Sequence, residues 1–152
     1  MTRSPIIRHE YSSQSAGMKP DACSIALIDE SRVFLIQRAY PPFEKLWTLP
    51  GGRMEPGETP QDCVKRELFE ETGMLIEDPI PVLVEEVGEG NRTFTLSVFT
   101  ARQVYVAPVV SQEIADWDWV EISELNGYAT TDNLAEIVSA CADMLGLSSE
   151  RP

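Results

Sequence analysis

The sequence predicts a single mixed α+β domain. It contains several short apolar runs rich in β-favouring residues, two segments with helical signals, and no internal repeat or low-complexity linker. At 152 residues the chain has the usual length of one domain and can bury a sizeable core. We expect residues 1–20 to form an irregular N-terminal arm, residues 21–147 the domain, and residues 148–152 a C-terminal tail.

The first elements predicted are two strands joined as a hairpin. Residues 22–28 and 33–37 are apolar runs separated by a short polar connection. Residues 40–45 contain two prolines and should form a loop, since proline removes a backbone donor and fixes φ. Residues 47–49 lead into residues 50–52, Pro-Gly-Gly, which we interpret as a tight turn where the backbone can approach a ligand closely.

A helix is predicted to follow the second turn. Thr59 fits the N-cap, Pro60 the first helical position, and Asp62 the acidic position of a capping box. The helix should run to about Thr72 and end at Gly73, which readily adopts the left-handed conformation of a C-terminal cap.

The second half of the chain predicts three more strands and a second helix. Asp132 begins an amphipathic segment with apolar residues at helical spacing, and Gly146 ends it. In chain order we expect strands at 82–87 and 93–101 joined by a turn at 88–91, a loop at 107–115, a strand at 117–120, one helical turn at 122–125, and a helix at 132–145.

Composition narrows the possible partners and compartments. The net charge is −13 and the pI near 4.4, which argues against binding to nucleic acid or to anionic lipid. Three cysteines and one histidine do not make a zinc motif, so we expect free buried thiols in a cytoplasmic protein. No apolar run reaches the roughly 20 residues needed to span a bilayer, and no secretory signal is evident.

The most informative feature is an acidic face on the first predicted helix. Glu67, Glu70 and Glu71 have i, i+3 and i+4 spacing and therefore share one face. Each like-charged pair costs a helix roughly 0.2–0.5 kcal/mol, which a hard divalent cation would offset. A structure that held these oxygens apart, or paired them with a neighbouring cationic side chain, would contradict such a site.

The segment around this face resembles the Nudix hydrolase signature, G-x5-E-x7-R-E-U-x-E-E-x-G-U, in which U is a bulky aliphatic residue. The match has no gap, and it falls on Gly52, Glu58, Arg66, Glu67, Leu68, Glu70, Glu71, Gly73 and Met74. The resemblance implies an α/β/α sandwich around a central mixed β-sheet. It also implies hydrolysis of a nucleoside diphosphate linked to another group, with Mg²⁺ as the cofactor and Mn²⁺ as a possible substitute.

The same resemblance implies a set of metal ligands. Glu67 and Glu71 would bind the ion directly, and Glu70 would bridge or bind it through water. The Gly51 carbonyl would add a further ligand. Glu58 would reach the ion through water or brace the loop.

The resemblance also implies catalytic and substrate-binding roles for several residues. Arg66 would orient the carboxylates rather than touch substrate. The general base would be Glu67 or an acid on a later loop, for which Glu113 is the candidate in PVVSQEIADW. Arg38, Tyr40 and Phe43 would contact phosphate or stack on a base, and the backbone at Gly52 would lie against the substrate.

The substrate is the most open question. The run RAYPPFEKLWTLPGG and the later Pro-Glu-Trp segment look most like the short ADP-ribose pyrophosphatase-like branch, which yields AMP and ribose 5-phosphate. Two motifs of related enzymes are absent: the proline about sixteen residues after the signature, and the SQPWPFPxS run of NADH-cleaving members. The alternatives are a nucleotide-pool sanitiser that acts on oxidised dNTPs and a non-catalytic nucleotide sensor. A homodimer is also possible, as in many relatives.

Overall fold

The computed structural model describes residues 6–10, 19–41, 43–89 and 92–147. Eight strands and two α-helices account for most of this range. In chain order the elements are β1 (Ile6–Glu10), β2 (Ala22–Asp29), β3 (Arg32–Arg38), β4 (Trp47–Thr48), β5 (Gly51–Arg53), α1 (Pro60–Thr72), β6 (Ile80–Glu89), β7 (Arg92–Arg102), β8 (Ile114–Glu121), a 3-10 helix (Ile122–Gly127) and α2 (Leu134–Met144). The tail predicted at 148–152 lies outside the described residues, as do Pro42 and positions 90–91 of the predicted turn.

All eight strands belong to one mixed sheet. Its main path runs β1-β6-β7-β2-β3-β4, with β5 paired to β2 and β8 paired to β3. The β2–β7 pair is parallel, and the other pairs are antiparallel. The central position of β2 matters for function, because it places β5 and helix α1 next to the middle of the sheet.

The sheet has a separate core on each face, because side chains alternate along β2. Ile25 and Leu27 point into one core, which includes Val64 and Leu68 from α1. Ala26 and Ile28 point into the other, which includes five buried residues of α2: Leu134, Ile137, Val138, Cys141 and Ala142. The predicted α/β/α sandwich with a central mixed sheet is confirmed.

Helix α1 begins and ends where the sequence predicts. The Thr59 Oγ1 atom accepts a hydrogen bond from the Asp62 backbone N–H at 3.1 Å. Gly73 adopts φ 73°, and its N–H donates to the Phe69 carbonyl at 2.8 Å. Local capping chemistry therefore sets both helix ends, as the sequence indicates.

Several predicted boundaries are wrong. Residues Ile6–Glu10 form strand β1, paired with β6, rather than part of an irregular arm. Gly51 and Gly52 lie in strand β5 rather than at the centre of a tight turn, because their backbone pairs with Ser24 and Cys23. Strand β8 begins three residues earlier than predicted, at Ile114, where it pairs with Arg38 at a bulge.

The cysteine prediction is confirmed for all three thiols, which are free and buried. Burial raises the pKa of Cys141 to about 12. Within the described part of the chain, no helix combines the length and apolar character needed to cross a bilayer.

Candidate metal and nucleotide site

The candidate site lies where strand β5 passes the acidic face of α1. Gly52 lies so close to this helix that a Cβ atom placed on it would come within 2.2 Å of the Glu67 Cδ atom. The absence of a side chain at Gly52 therefore lets the Glu67 carboxyl group pack against the β5 backbone. The close neighbour of Gly52 in the structure is the Glu67 side chain, and the predicted approach of a ligand to this backbone stays a prediction.

Glu71 is the most buried acid of the site, with 3% of its surface exposed. Its Oε1 atom accepts a hydrogen bond from the Gly51 N–H at 3.0 Å, and its Oε2 atom lies 4.0 Å from Arg38 Nη1. Burial raises the pKa of Glu71 to about 8, and the negative charges of Glu67 and Glu113 act in the same direction. Together, the Gly51 donor and the Arg38 charge do not offset the cost of ionising this carboxyl group.

Glu67 has a related environment. Burial raises its pKa, and the charges of Glu70 and Glu113 add to this increase, while Arg66 lowers it. Glu113 therefore acts on both helical acids from the loop before β8. Its backbone is held in place by a hydrogen bond from the Ala39 N–H to the Glu113 carbonyl, 3.0 Å long.

Arg66 connects the remaining acids of the signature. Its Nε and Nη2 atoms donate to the two oxygens of Glu58 at 2.5 and 3.0 Å, and Nη2 also donates to the Arg53 carbonyl at 3.0 Å. Its Nη1 atom donates to Glu67 at 3.2 Å and Glu70 at 3.1 Å. The hydrogen bonds from Arg66 lower the pKa of Glu58 to about 2. Arg66 therefore makes hydrogen bonds to three carboxyl groups of the signature.

A cationic side chain paired with the acidic face would contradict a metal site, and Arg66 partly meets this condition. It pairs with Glu67 and Glu70, and among the described residues no three Asp, Glu, Cys or His side chains converge to chelate an ion. Glu70 is also 56% exposed at its side chain. Burial is the main cause of the raised pKa at Glu67 and Glu71, so both carboxyl groups lack the solvation that would stabilise their ionised forms. A divalent cation that prefers oxygen ligands would stabilise those ionised forms.

The loop before β8 is tied to the end of α1. The Val109 N–H donates to the Thr72 carbonyl at 3.0 Å, and the Ser111 N–H donates to the Glu71 carbonyl at 2.9 Å. Glu113 follows two residues after the second of these bonds. The position of Glu113 relative to Glu71 is therefore set by backbone hydrogen bonds.

A cavity of about 370 Å³ adjoins the site on the α2 side of the sheet. Phe43, Gly51 and Gly52 line it, whereas Tyr40 lies outside the lining with 58% of its surface exposed. Sequence reasoning missed two lining acids, Glu85 on β6 and Asp132 before α2. The sequence could have indicated Glu85, because it is an acid inside the apolar run VLVEEV. In the structure Glu85 is 3% exposed.

The raised pKa of Glu71 predicts a pH-dependent stability in the absence of metal. The protonated carboxyl is favoured in the folded state up to about pH 8, whereas in the unfolded chain it ionises near 4.5. The stabilisation from this protonated Glu71 carboxyl is thus complete below about pH 4.5 and is lost as pH rises to about 8. Over this range the free energy of unfolding should fall by at most about 1.4 kcal/mol per pH unit. Urea unfolding with EDTA at several pH values should show this slope, and Glu71→Gln should reduce it. An equal slope in both proteins would contradict the assignment.

The fold resembles that of a solved NUDIX domain. The NUDIX domain of Shewanella oneidensis NrtR, solved in complex with ADP ribose, superimposes with a TM-score of 0.74 at 19% identity, covering 89% of this chain and 94% of that one. A likeness at this identity shows the fold. The family model of the NUDIX domain matches residues 18–141, and the chain therefore belongs to the Nudix family.

Two curated relatives illustrate the range of named activities. The 8-oxo-dGDP phosphatase NUDT18 of Mus musculus is 39% identical over 79 residues, which is 52% of this chain and 24% of that protein. The ADP-ribose pyrophosphatase of Methanocaldococcus jannaschii is 44% identical over 46 residues, 30% of this chain and 27% of that protein. This chain thus spans about a quarter of the length of each.

Proposed function

We propose that the protein hydrolyses a phosphoanhydride bond in a nucleoside diphosphate derivative, with Mg²⁺ as its cofactor and Mn²⁺ as a substitute. The observation that carries this proposal is the pair of desolvated acids, Glu67 and Glu71, beside a glycine strand that also lines a cavity. The membership of the Nudix family supports the same reaction.

The proposed ligands follow from the resemblance to the Nudix signature. Glu67 and Glu71 would bind the ion directly, the Gly51 carbonyl would be a third ligand, and Glu70 would bridge or bind through water. A bound Mg²⁺ ion would polarise phosphoryl oxygens and make a bound water easier to deprotonate. Glu58 braces the site from outside, because both of its oxygens are engaged by Arg66.

Arg66 acts in this proposal as a positioning residue. Its guanidinium fixes Glu58 in a bidentate pair and reaches Glu67 and Glu70 from the same side. Bidentate pairs of this kind are geometrically specific and strong. The residue therefore holds the carboxylates in place without contact to the substrate.

Glu113 is the proposed general base, with Glu67 as the alternative. Its negative charge contributes to the raised pKa of both Glu67 and Glu71, which supports a base role near these acids. Glu113→Gln should lower kcat by about a hundredfold or more, the usual contribution of general base catalysis. The measurement is steady-state hydrolysis at saturating Mg²⁺, with Glu124→Gln on the 3-10 helix as the matched control. An unchanged kcat in Glu113→Gln would make Glu67 the favoured base.

ADP-ribose or a related nucleotide sugar is the first candidate substrate. The supporting features are the run from Arg38 to Phe43 before β4 and the loop acid Glu113, both typical of the ADP-ribose branch. Phe43 lines the cavity and is 55% exposed, which leaves an aromatic ring available for stacking on a base. A relative that covers part of this chain is named an ADP-ribose pyrophosphatase.

An oxidised guanine nucleotide is the second candidate, favoured by the acids of the cavity. Glu85 and Asp132 line a cavity whose other lining residues are mostly apolar. Carboxyl oxygens accept hydrogen bonds, so such a pocket suits a base with several N–H donors. The NUDT18 relative is named for an oxidised guanine nucleotide.

Product analysis with a substrate panel tests the function. Purified protein is incubated with Mg²⁺ and ADP-ribose, other nucleotide sugars, or 8-oxo-dGTP and 8-oxo-dGDP. We expect AMP and a sugar phosphate if the first candidate is correct, and a nucleoside monophosphate with pyrophosphate or phosphate if the second is correct. Binding of ADP-ribose without turnover of any nucleotide in the panel would instead identify a non-catalytic sensor.

A further inference from the structure

Arg38 is the cation nearest to the most buried acid of the site. Its Nη1 atom lies 4.0 Å from Glu71 Oε2, while the other oxygen of Glu71 accepts the Gly51 N–H. The Arg38 backbone is fixed at the end of β3, because its N–H donates to the Leu46 carbonyl at 3.1 Å and its carbonyl accepts the Lys45 N–H at 2.8 Å. The main chain at Arg38 is therefore fixed, and its side chain reaches Glu71 from the end of β3.

The two arginines of the site differ in how firmly they are held. Arg66 donates to both oxygens of Glu58 and to the Arg53 carbonyl, so its guanidinium is anchored independently of Glu67. Arg38, in contrast, approaches Glu71 at a distance too long for a hydrogen bond. Its Nε atom is buried and has no hydrogen-bond partner among the described residues. No hydrogen bond within the described part of the chain holds the Arg38 guanidinium beside Glu71.

A guanidinium and a divalent cation at one carboxylate repel each other. The repulsion between two charges a few ångströms apart is several times stronger near a protein surface than in bulk water, and a divalent ion doubles it. We propose that Arg38 is the counter-ion of Glu71 in its ionised form, that it competes with the divalent metal for this carboxylate, and that it is released when the metal binds. The inference rests on the proposed role of Glu71 as a metal ligand.

Release of Arg38 would couple two binding events. The freed guanidinium, with its unpaired Nε donor, suits a phosphate group of the substrate. Because linkage is reciprocal, a metal that frees Arg38 favours the anion, and the anion favours the metal by the same factor. Without metal, the positive charge of Arg38 would be neutralised by Glu71, and with metal bound the arginine would be available to bind a phosphate group.

The first test measures Mn²⁺ affinity without nucleotide, by calorimetry and by the EPR signal of free Mn²⁺, above pH 8 because the pKa of Glu71 is about 8 and its carboxyl group must be ionised. Arg38→Met should bind Mn²⁺ at least about fivefold more tightly than wild type, the lower end of typical coupling factors. Arg38→Lys, which keeps the charge, should bind less tightly than Arg38→Met. The control Arg32→Met removes the same charge six residues earlier on β3, roughly 20 Å away, and should leave affinity unchanged. Equal or weaker binding by Arg38→Met, or an equal gain in Arg32→Met, would overturn the inference.

The second test observes the guanidinium directly. In ¹⁵N-labelled protein, the Nε–H signal of Arg38, assigned by its loss in Arg38→Lys, should shift as Mg²⁺ is added. The Arg66 Nε–H signal should move less, because Glu58 anchors it. An Arg38 signal that does not respond at saturating Mg²⁺ would overturn the inference.

A further variant separates this inference from the proposed function. Glu71→Gln should lose Mn²⁺ affinity if Glu71 is a ligand. If it does, and Arg38→Met still fails to gain affinity, the proposed function stands and the counter-ion role is wrong. If wild type and Glu71→Gln bind Mn²⁺ equally, the ligand role of Glu71 fails and the inference fails with it.

Discussion

Replacing Glu71 by Gln is expected to lower kcat by about a thousandfold or more while the fold remains intact. The amide keeps the size of the side chain but removes the charge that a divalent ion requires. Several kcal/mol of transition-state stabilisation by a metal site correspond to a loss of this order. The Gly51 N–H can still donate to the amide oxygen of Gln, so the link between β5 and α1 should survive.

The measurement for this variant is hydrolysis of the best substrate over a range of Mg²⁺ concentrations, together with the melting temperature. Glu136→Gln is the matched control, because Glu136 is an exposed acid of α2 on the far face of the sheet. We expect full activity in the control. Comparable activity in Glu71→Gln and wild type at limiting Mg²⁺ would contradict the assignment of Glu71 as a ligand.

Replacing Gly52 by Ala is the second change with a large expected effect. A Cβ atom at this position would lie 2.2 Å from Glu67 Cδ, so the carboxyl group must move. The displaced group is the end of a flexible side chain, which can move at a small cost in stability. Because a misplacement of about 1 Å can cost about a hundredfold in rate, we expect a loss of that size in kcat with little change in melting temperature.

Gly51→Ala provides the contrast needed to interpret this result. A Cβ atom there would lie 2.1 Å from the Cys23 carbonyl oxygen and 2.7 Å from Ser24 Cα, which are backbone atoms of the central strand. Overpacking of this kind typically costs about 1–3 kcal/mol or more. We expect Gly51→Ala to lower the melting temperature clearly more than Gly52→Ala. A Gly52→Ala protein with wild-type kcat would show that the Glu67 position is not critical.

The helix that carries the acidic face could be predicted from sequence because its signals are local. The Thr59 cap, the proline after it and Gly73 all lie within a few residues of the helix ends they define. The spacing of the glutamates then fixes a shared face without knowledge of the rest of the fold.

The features that sequence reasoning missed depend on partners distant in the chain. Strand β1 exists because it pairs with the edge of β6, and Gly51 and Gly52 are extended because they pair with β2. Arg38 at the end of β3 and Glu71 in α1 lie close in space, although the Pro-Gly-Gly segment separates them in the sequence. None of these contacts leaves a periodic trace in one sequence.

The two backbone bonds from Val109 and Ser111 to the end of α1 also limit how this part of the chain can diverge between homologues. Insertions between β7 and Val109 would lengthen a surface loop at a slowly growing entropic cost, without reaching either bond. An insertion between Ser111 and β8 would instead shift Glu113 relative to the helix. Length variation in related sequences should therefore accumulate before position 109 and be rare after position 111.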